Sequence, residues 1–190
     1  MAAPKDRMAA LDKEHIAIVP YDESWPSVYT SIEKQIKVLM PRQLMQRIAH
    51  IGSTAVPGLS GKPIIDVQVE VSDLERVRTE IAPVMEEAGY EFHWRQTMGD
   101  ADPFYAWFIR RNAQGERDAH VHMVGSGQAS ADRIIFRDYL RAHADEAERY
   151  QALKTELAKR FPKDRVAYTA SKTEYVNEVL RKARGEKMRK

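Results

Sequence analysis

One short run limits this chain more than any other: Ile64-Ile-Asp-Val-Gln-Val-Glu-Val71. β-Branched residues at Ile64, Ile65, Val67, Val69 and Val71, with strict alternation from Asp66 onward, predict a strand. Residues two apart share a strand face, so Asp66, Gln68 and Glu70 point one way and the valines the other. Three polar groups in line suit a face that is wet or that holds a ligand. A half-exposed antiparallel strand with a polar outer face gives the same pattern, so periodicity alone leaves both readings open.

Immediately upstream, Ile48-Ala-His-Ile51 is a short apolar run that ends at Gly52, and Gly52 to Pro63 is a loop punctuated by glycine and proline. Glycine lets backbone N–H groups approach a phosphate closely, and the Ser53 hydroxyl adds a donor. A Gly-Ser turn followed by a strand with an acidic face is a sensible phosphate-and-metal arrangement. The carboxylates would hold a divalent cation, and the cation would neutralise phosphate oxygens.

Ile16 to Val19 reads as a short extended run. Ser24 is placed to cap a helix that carries Pro26 in its first turn, with Val28, Ile32, Ile36 and Leu39 as its apolar stripe and Pro41 as its stop. Asp73 to Ala88 predicts a helix with Leu74, Val77, Ile81 and Val84 inward, kinked or split at Pro83. Tyr105 to Arg110 and His120 to Val124 predict two strands joined through Asn112-Ala-Gln-Gly115. Beyond Ser130 the pattern is helical: about Asp132 to Ala142, about Glu146 to Phe161 with Pro162 as its stop, and a last helix from near Thr169 with Val176, Val179 and Leu180 inward. Trp107 is expected in the core, as large aromatics on strands mostly are.

A mixed α/β half followed by a helical half argues for a small mixed sheet with helices packed on it, the α+β class. The expected layout is a loose leader over residues 1–15, one domain over 16–184 (its α/β part 16–125, its helical part 126–184) and a basic tail over 185–190. With 43% hydrophobic and 31% charged residues, the chain can bury a core and has no membrane-spanning run. The first residues carry no apolar segment of a secretory signal. The chain has no cysteine, which excludes disulfides, thiol catalysis and cysteine zinc sites and fits a cytoplasmic setting. Net charge is only +2, and Arg181 to Lys190 alone hold six Lys/Arg against one Glu. The basic excess therefore sits in a tail, not on the domain, which disfavours nucleic acid as a partner. The sequence does not fix the oligomeric state.

Two further groups of residues carry chemistry. His120 and His122 share a strand face, joined by Asp118 if the strand extends that far. Imidazoles two apart can ligate a metal, and they suit Zn, Mn or Fe better than Mg; the pair reads equally well as a hydrogen-bonded scaffold of a polar cleft. Arg133, Arg137 and Arg141 lie along one helix face, with Lys154 and Lys172 further on. Arginines pair with phosphate bidentately, though the same row fits a solvated face with Asp138 and Glu148 as partners. Lys172 is less easily read that way: a cation near a helix start opposes the helix dipole, which suggests a partner elsewhere.

The run His50-Ile-Gly-Ser-Thr-Ala-Val-Pro-Gly-Leu-Ser-Gly-Lys-Pro-Ile-Ile-Asp66 resembles the signature of the GrpB family. His120-Val-His122, Phe136 to Arg141, Tyr150 with Lys154, Tyr168 with Lys172, and Ile18 to Pro26 agree with it. The resemblance covers about residues 16–184. It implies a nucleotidyltransferase fold of the polymerase-β palm type. In that superfamily a Gly-Ser pair grips a nucleoside triphosphate, and three carboxylates on two strands hold two divalent metals, Mg²⁺ or Mn²⁺. Carried over, Gly52 and Ser53 match the Gly-Ser pair and Asp66 the first carboxylate. The second carboxylate falls on Gln68, and the third falls in the strand of His120 and His122. Glu70 lies about 6.5–7 Å further along the strand than Gln68 and could not take its seat without a shift.

Three functions follow from this reading. The first is metal-dependent transfer of a nucleotidyl group from a nucleoside triphosphate, ATP first among them, to a small acceptor. Asp66, Gln68, His120 and His122 would then hold the metal, with Asp66, Gln68 and His122 at the reaction, and Gly52, Ser53, Lys62, Arg137 and Lys172 would bind the nucleotide. The second is a nucleotide- or phosphate-binding module that has lost turnover. The third is metal-dependent phosphoester hydrolysis.

Overall fold

A computed structural model describes residues 11–96 and 104–187. Its centre is one five-stranded mixed sheet: β1 (Met45–Ile51), β2 (Ile65–Val71), β3 (Tyr90–Gln96), β4 (Phe104–Arg111) and β5 (Arg117–Gly125), in the spatial order β1-β2-β5-β4-β3. Only β2 and β5 run parallel; every other neighbouring pair is antiparallel. β3 was not among the expected strands. Its alternation of Tyr90, Phe92 and Trp94 with Glu91, His93 and Arg95 is the signal it carries.

One face of the sheet is the main core. Val67, Val69, Val121, Met123, Ala106 and Phe108 pack there against Trp25, Ile32, Ile36, Val77, Ile81 and Met85. Ile32 and Ile36 are the inward stripe of α1 (Trp25–Leu39), which ends where Met40 turns extended ahead of Pro41. Ser24 stands before α1 but makes no side-chain cap; the Asp22 carboxylate accepts its N–H instead.

The segment after β2 is split as expected. It comprises α2 (Leu74–Arg76), one wider π turn (Val77–Ile81) and α3 (Ala82–Glu87). The wide turn lies directly ahead of Pro83, whose missing N–H could not have continued a regular ladder. Val84, expected inward, is exposed.

The helical half comprises α4 (Gln128–Ala142), α5 (Ala144–Arg160), α6 (Arg165–Ala170) and α7 (Thr173–Lys187). Val179 and Ala183 of α7 pack on Tyr139 of α4, and Leu140 and Tyr150 close over Val56 and Leu59 of the loop after β1. Leu157 and Tyr168 meet Ile16. The helices therefore cover the other sheet face at its β1–β2 side, where the polar residues of β2 point. Among the described residues, no helix is long and apolar enough to cross a membrane.

Candidate active site

The polar face of β2 is not wet. Gln68 is 1% exposed and Glu70 is 6% exposed. Each polar group there has a specific partner. Glu70 is ion-paired with Arg47 of β1. The Gln68 amide donates to the Ser130 carbonyl at 3.0 Å, and its oxygen accepts from Arg133 at 3.1 Å. Gln68 is thus a clamp between β2 and α4, and the expected metal and catalytic roles for it find no support in this geometry. A neutral amide with both ends engaged is a poor ligand.

Asp66 differs. The parallel register sets it opposite His120, and Gln68 opposite His122. Asp66 Oδ1 lies 3.1 Å from His120 Nδ1 and 3.7 Å from His122 Nε2, and one ligand atom from each of the three lies within 4.8 Å of the others. Burial opposes ionisation of Asp66, but the two imidazoles outweigh it and hold the carboxyl well below its usual range. Burial pushes His120 down to about 4 despite the carboxylate and lowers His122 as well. His120 Nε2 is buried without a hydrogen-bond partner. Trp107 is buried, as expected, and its ring lies edge-on to His120 at 5.0 Å. Asp118 does not join the cluster; Arg110 holds its carboxylate through two 2.9 Å hydrogen bonds.

Gly52 ends β1 in a left-handed conformation, φ +73°, ahead of a single 3₁₀ turn (Ser53–Ala55). A Cβ there would stand 2.6 Å from Asp66 Oδ2, so glycine is required for both conformation and close approach. The turn is braced by His50, whose Nε2 meets Thr54 Oγ1 at 2.9 Å while its ring stacks on Tyr29. Two arginines of α4 also reach it: Arg137 donates to the His50 carbonyl at 2.7 Å and Arg141 to that of Ala55 at 2.8 Å. The arginine row is therefore a set of staples into β1, the turn and β2. Asp138 pairs with Arg137 and Arg141.

Gly52, Ser53 and Asp66 open onto a cavity of about 130 Å³, lined also by Lys62, Arg137, Lys154 and Lys172 with Tyr150 and Tyr168. Lys154 is 2% exposed. Its Nζ donates to Ser53 Oγ at 2.9 Å and to the Ser60 carbonyl, and it lies 4.8 Å from the centre of the Tyr150 ring. Lys172 and Lys62 lie over the Tyr168 ring at 4.3 and 5.8 Å. None of the three lysines has a carboxylate at ion-pair distance among the described residues. Burial, with the neighbouring ammonium groups adding to it, lowers Lys154 and Lys172 to about 7, and burial lowers Lys62 to about 8.

Gly52, Ser53, Lys62, Asp66, Arg137 and Lys172, all expected from the sequence, thus share one cavity, with His120 and His122 touching it through Asp66. Lys154 belongs there too, although the sequence placed it only in the basic set. Gly61 and the brace role of His50 were missed, since nothing in their spacing reveals a contact made by folding. One tyrosine did leave a signal: Tyr150 and Lys154 are four residues apart, the spacing that sets an amine over a ring on one helix face, whereas Lys172 reaches the Tyr168 ring from the turn between α6 and α7.

The fold is that of polymerase-β-type nucleotidyltransferases. It superposes on the Cid1 poly(U) polymerase with a TM-score of 0.51 at 11% identity over 83% of this chain and 47% of that one, and on a cytoplasmic RNA terminal U-transferase with the same score at 13% identity over 83% and 46%. The chain belongs to the GrpB family, whose match spans residues 15–182. It is 36% identical to a UPF0157 protein of Pseudomonas aeruginosa over 93% of this chain and 71% of that protein. The crystal structure of the conserved protein GrpB from Enterococcus faecalis matches with a TM-score of 0.75 at 26% identity, over 90% of this chain and 99% of that one.

Proposed function

We propose that this chain binds a nucleoside triphosphate with a divalent ion and transfers the nucleotidyl group to a small acceptor. One observation carries the reading: three lysine amines, with no carboxylate at ion-pair distance among the described residues, face, across a single cavity, an aspartate flanked by two imidazoles. Burying ammonium groups is costly unless anions join them; Asp66 is the one carboxylate on this cavity wall, and a polyphosphate would supply the further negative charge.

The donor set fits a metal. Asp66, His120 and His122 present one oxygen and two nitrogens within 4.8 Å of one another, within reach of one ion. Imidazole donors favour Mn²⁺ over Mg²⁺. A divalent ion bound there supplies positive charge to the phosphate oxygens and the leaving pyrophosphate. Ser53 and the Gly52 turn orient the phosphates, and Lys62, Lys172 and Arg137 balance their charge. The cavity is below the roughly 300 Å³ at which small-molecule pockets begin, so it suits the phosphates while nucleoside and acceptor extend beyond it.

A second reading, binding without turnover, is favoured by the loss of carboxylates: Gln68 stands in the second seat and Glu70 is taken by Arg47. Calorimetric titration of ATP and the other triphosphates, with Mn²⁺ or Mg²⁺, tests the site. Binding that needs the metal and disappears in Asp66→Ala is expected; indifference to that substitution removes the metal assignment. Pyrophosphate release across a panel of small acceptors then separates transfer from binding alone.

A further inference from the structure

Nucleotidyl transfer needs a base for the attacking hydroxyl, and the metal cluster offers a poor one. Asp66 faces His120 at 3.1 Å and His122 at 3.7 Å, Gln68 is an engaged amide, and Glu70 is paired with Arg47. A base does stand on a hydroxyl inside the cavity: Lys154 Nζ, 2.9 Å from Ser53 Oγ.

The surroundings suit a neutral amine. Lys154 is almost fully buried, and its remaining hydrogen-bond partner is the Ser60 carbonyl. Lys62 and Lys172 repel a positive charge there, and Asp66 is the acidic group on the cavity wall, while Tyr150 and Tyr168 contribute rings held in their neutral form. A neutral amine keeps an N–H for Ser60 and offers its lone pair to the Ser53 O–H, reversing the contact drawn by the ammonium form. Ser53 is fixed from behind. A Cβ on Gly61 would stand 2.7 Å from Ser53 Cβ and 3.5 Å from its Oγ, and Gly61 is itself tied to Val19 by paired backbone hydrogen bonds.

We propose that Ser53 is a nucleophile with Lys154 as its base, and that the transfer passes through a nucleotidylated Ser53. This rests on triphosphate binding as argued above. Ser53 Oγ attacks the α-phosphorus; the Oγ–P bond forms and the bond from phosphorus to the pyrophosphate oxygen breaks. Pyrophosphate leaves with the electron pair, and the hydroxyl proton passes to Lys154 Nζ. The acceptor hydroxyl then attacks the same phosphorus and loses its proton to solvent, while Ser53 Oγ departs and recovers its proton from Lys154.

The test incubates the full chain with each of the four ribonucleoside triphosphates, labelled at the α-phosphate, plus Mn²⁺. The protein is denatured, and label and intact mass are read. The expected result is a mass gain of one nucleotidyl group, mapped to Ser53, with one pyrophosphate released per adduct. Ser53→Ala abolishes the adduct. Lys154→Met, close in shape and apolar, lowers its rate of formation at least a hundredfold, in keeping with loss of a general base, and Lys154→Arg, always charged, does not restore it. Calorimetric binding by wild type with no adduct between pH 6 and 9 overturns the covalent step and leaves triphosphate binding standing. An adduct that persists in Ser53→Ala overturns the assignment of the nucleophile. Absence of triphosphate binding overturns both the step and the function it rests on.

Discussion

At Gly52 two independent demands fall on one residue. Its φ of +73° disfavours any L side chain, and a methyl group there would collide with Asp66 Oδ2. Gly52→Ala is expected to cost about 1–3 kcal/mol for the backbone conformation alone and to displace the carboxylate. Chemical denaturation will read the first effect and loss of Mn²⁺ binding the second. His50 makes a different prediction. Burial pushes its imidazole down to about 4 from an ordinary 6.5, so below pH 6.5 the unfolded chain takes up a proton that the folded chain refuses. Unfolding free energy should therefore fall as pH drops from 6.5 to 4, by roughly 3 kcal/mol from this group. His50→Gln, which keeps a hydrogen-bonding end for Thr54, should flatten that part of the profile in denaturation series; an unchanged slope would contradict the assignment. Residues of this kind were only half legible. The Gly-Ser pair and Asp66 announced themselves by motif and alternation, but the contacts of Gly52 with Asp66 and of Gly61 with Ser53 arise from strand pairing, which no local pattern encodes.

Among the elements, the helix α4 shows why the same residues can be read two ways. Arg133, Arg137 and Arg141 fit a solvated charged face by spacing, yet each crosses to a different part of the site: Gln68, the His50 carbonyl and the Ala55 carbonyl. The β2–α4 clamp through Gln68 makes a test that separates structure from chemistry. Gln68→Ala removes the donor to the Ser130 carbonyl and an acceptor for Arg133, and should cost about 1–3 kcal/mol while leaving Mn²⁺ affinity unchanged. A loss of Mn²⁺ affinity at preserved stability would restore Gln68 as a ligand. Strand β2 was legible because its faces differ so sharply. The parallel pairing with β5, which brings His120 against Asp66, was not, because a parallel neighbour is chosen by the whole topology. The edge strand β3 was missed, although Tyr90, Phe92 and Trp94 alternate there with Glu91, His93 and Arg95.

For the whole molecule, the sheet divides the labour. One face is hydrocarbon packed against α1 and α3; the other carries the cluster, the turn and the lysine cavity beneath the C-terminal helices. A ligand that binds only the folded state stabilises it by mass action, about 2.7 kcal/mol at a hundred times its Kd. Mn²⁺ should accordingly raise the thermal midpoint, with reversal by chelator and no response in Asp66→Asn. The central claim is that the aspartate–histidine cluster and the lysine cavity form a single site. A crystal structure with Mn²⁺ and a non-hydrolysable triphosphate analogue tests it most directly. Anomalous scattering from manganese should fall beside Asp66, His120 and His122, with phosphates against Ser53, Lys62, Lys154 and Lys172. Phosphates lodged away from the lysines, or manganese bound elsewhere than at Asp66, would contradict it.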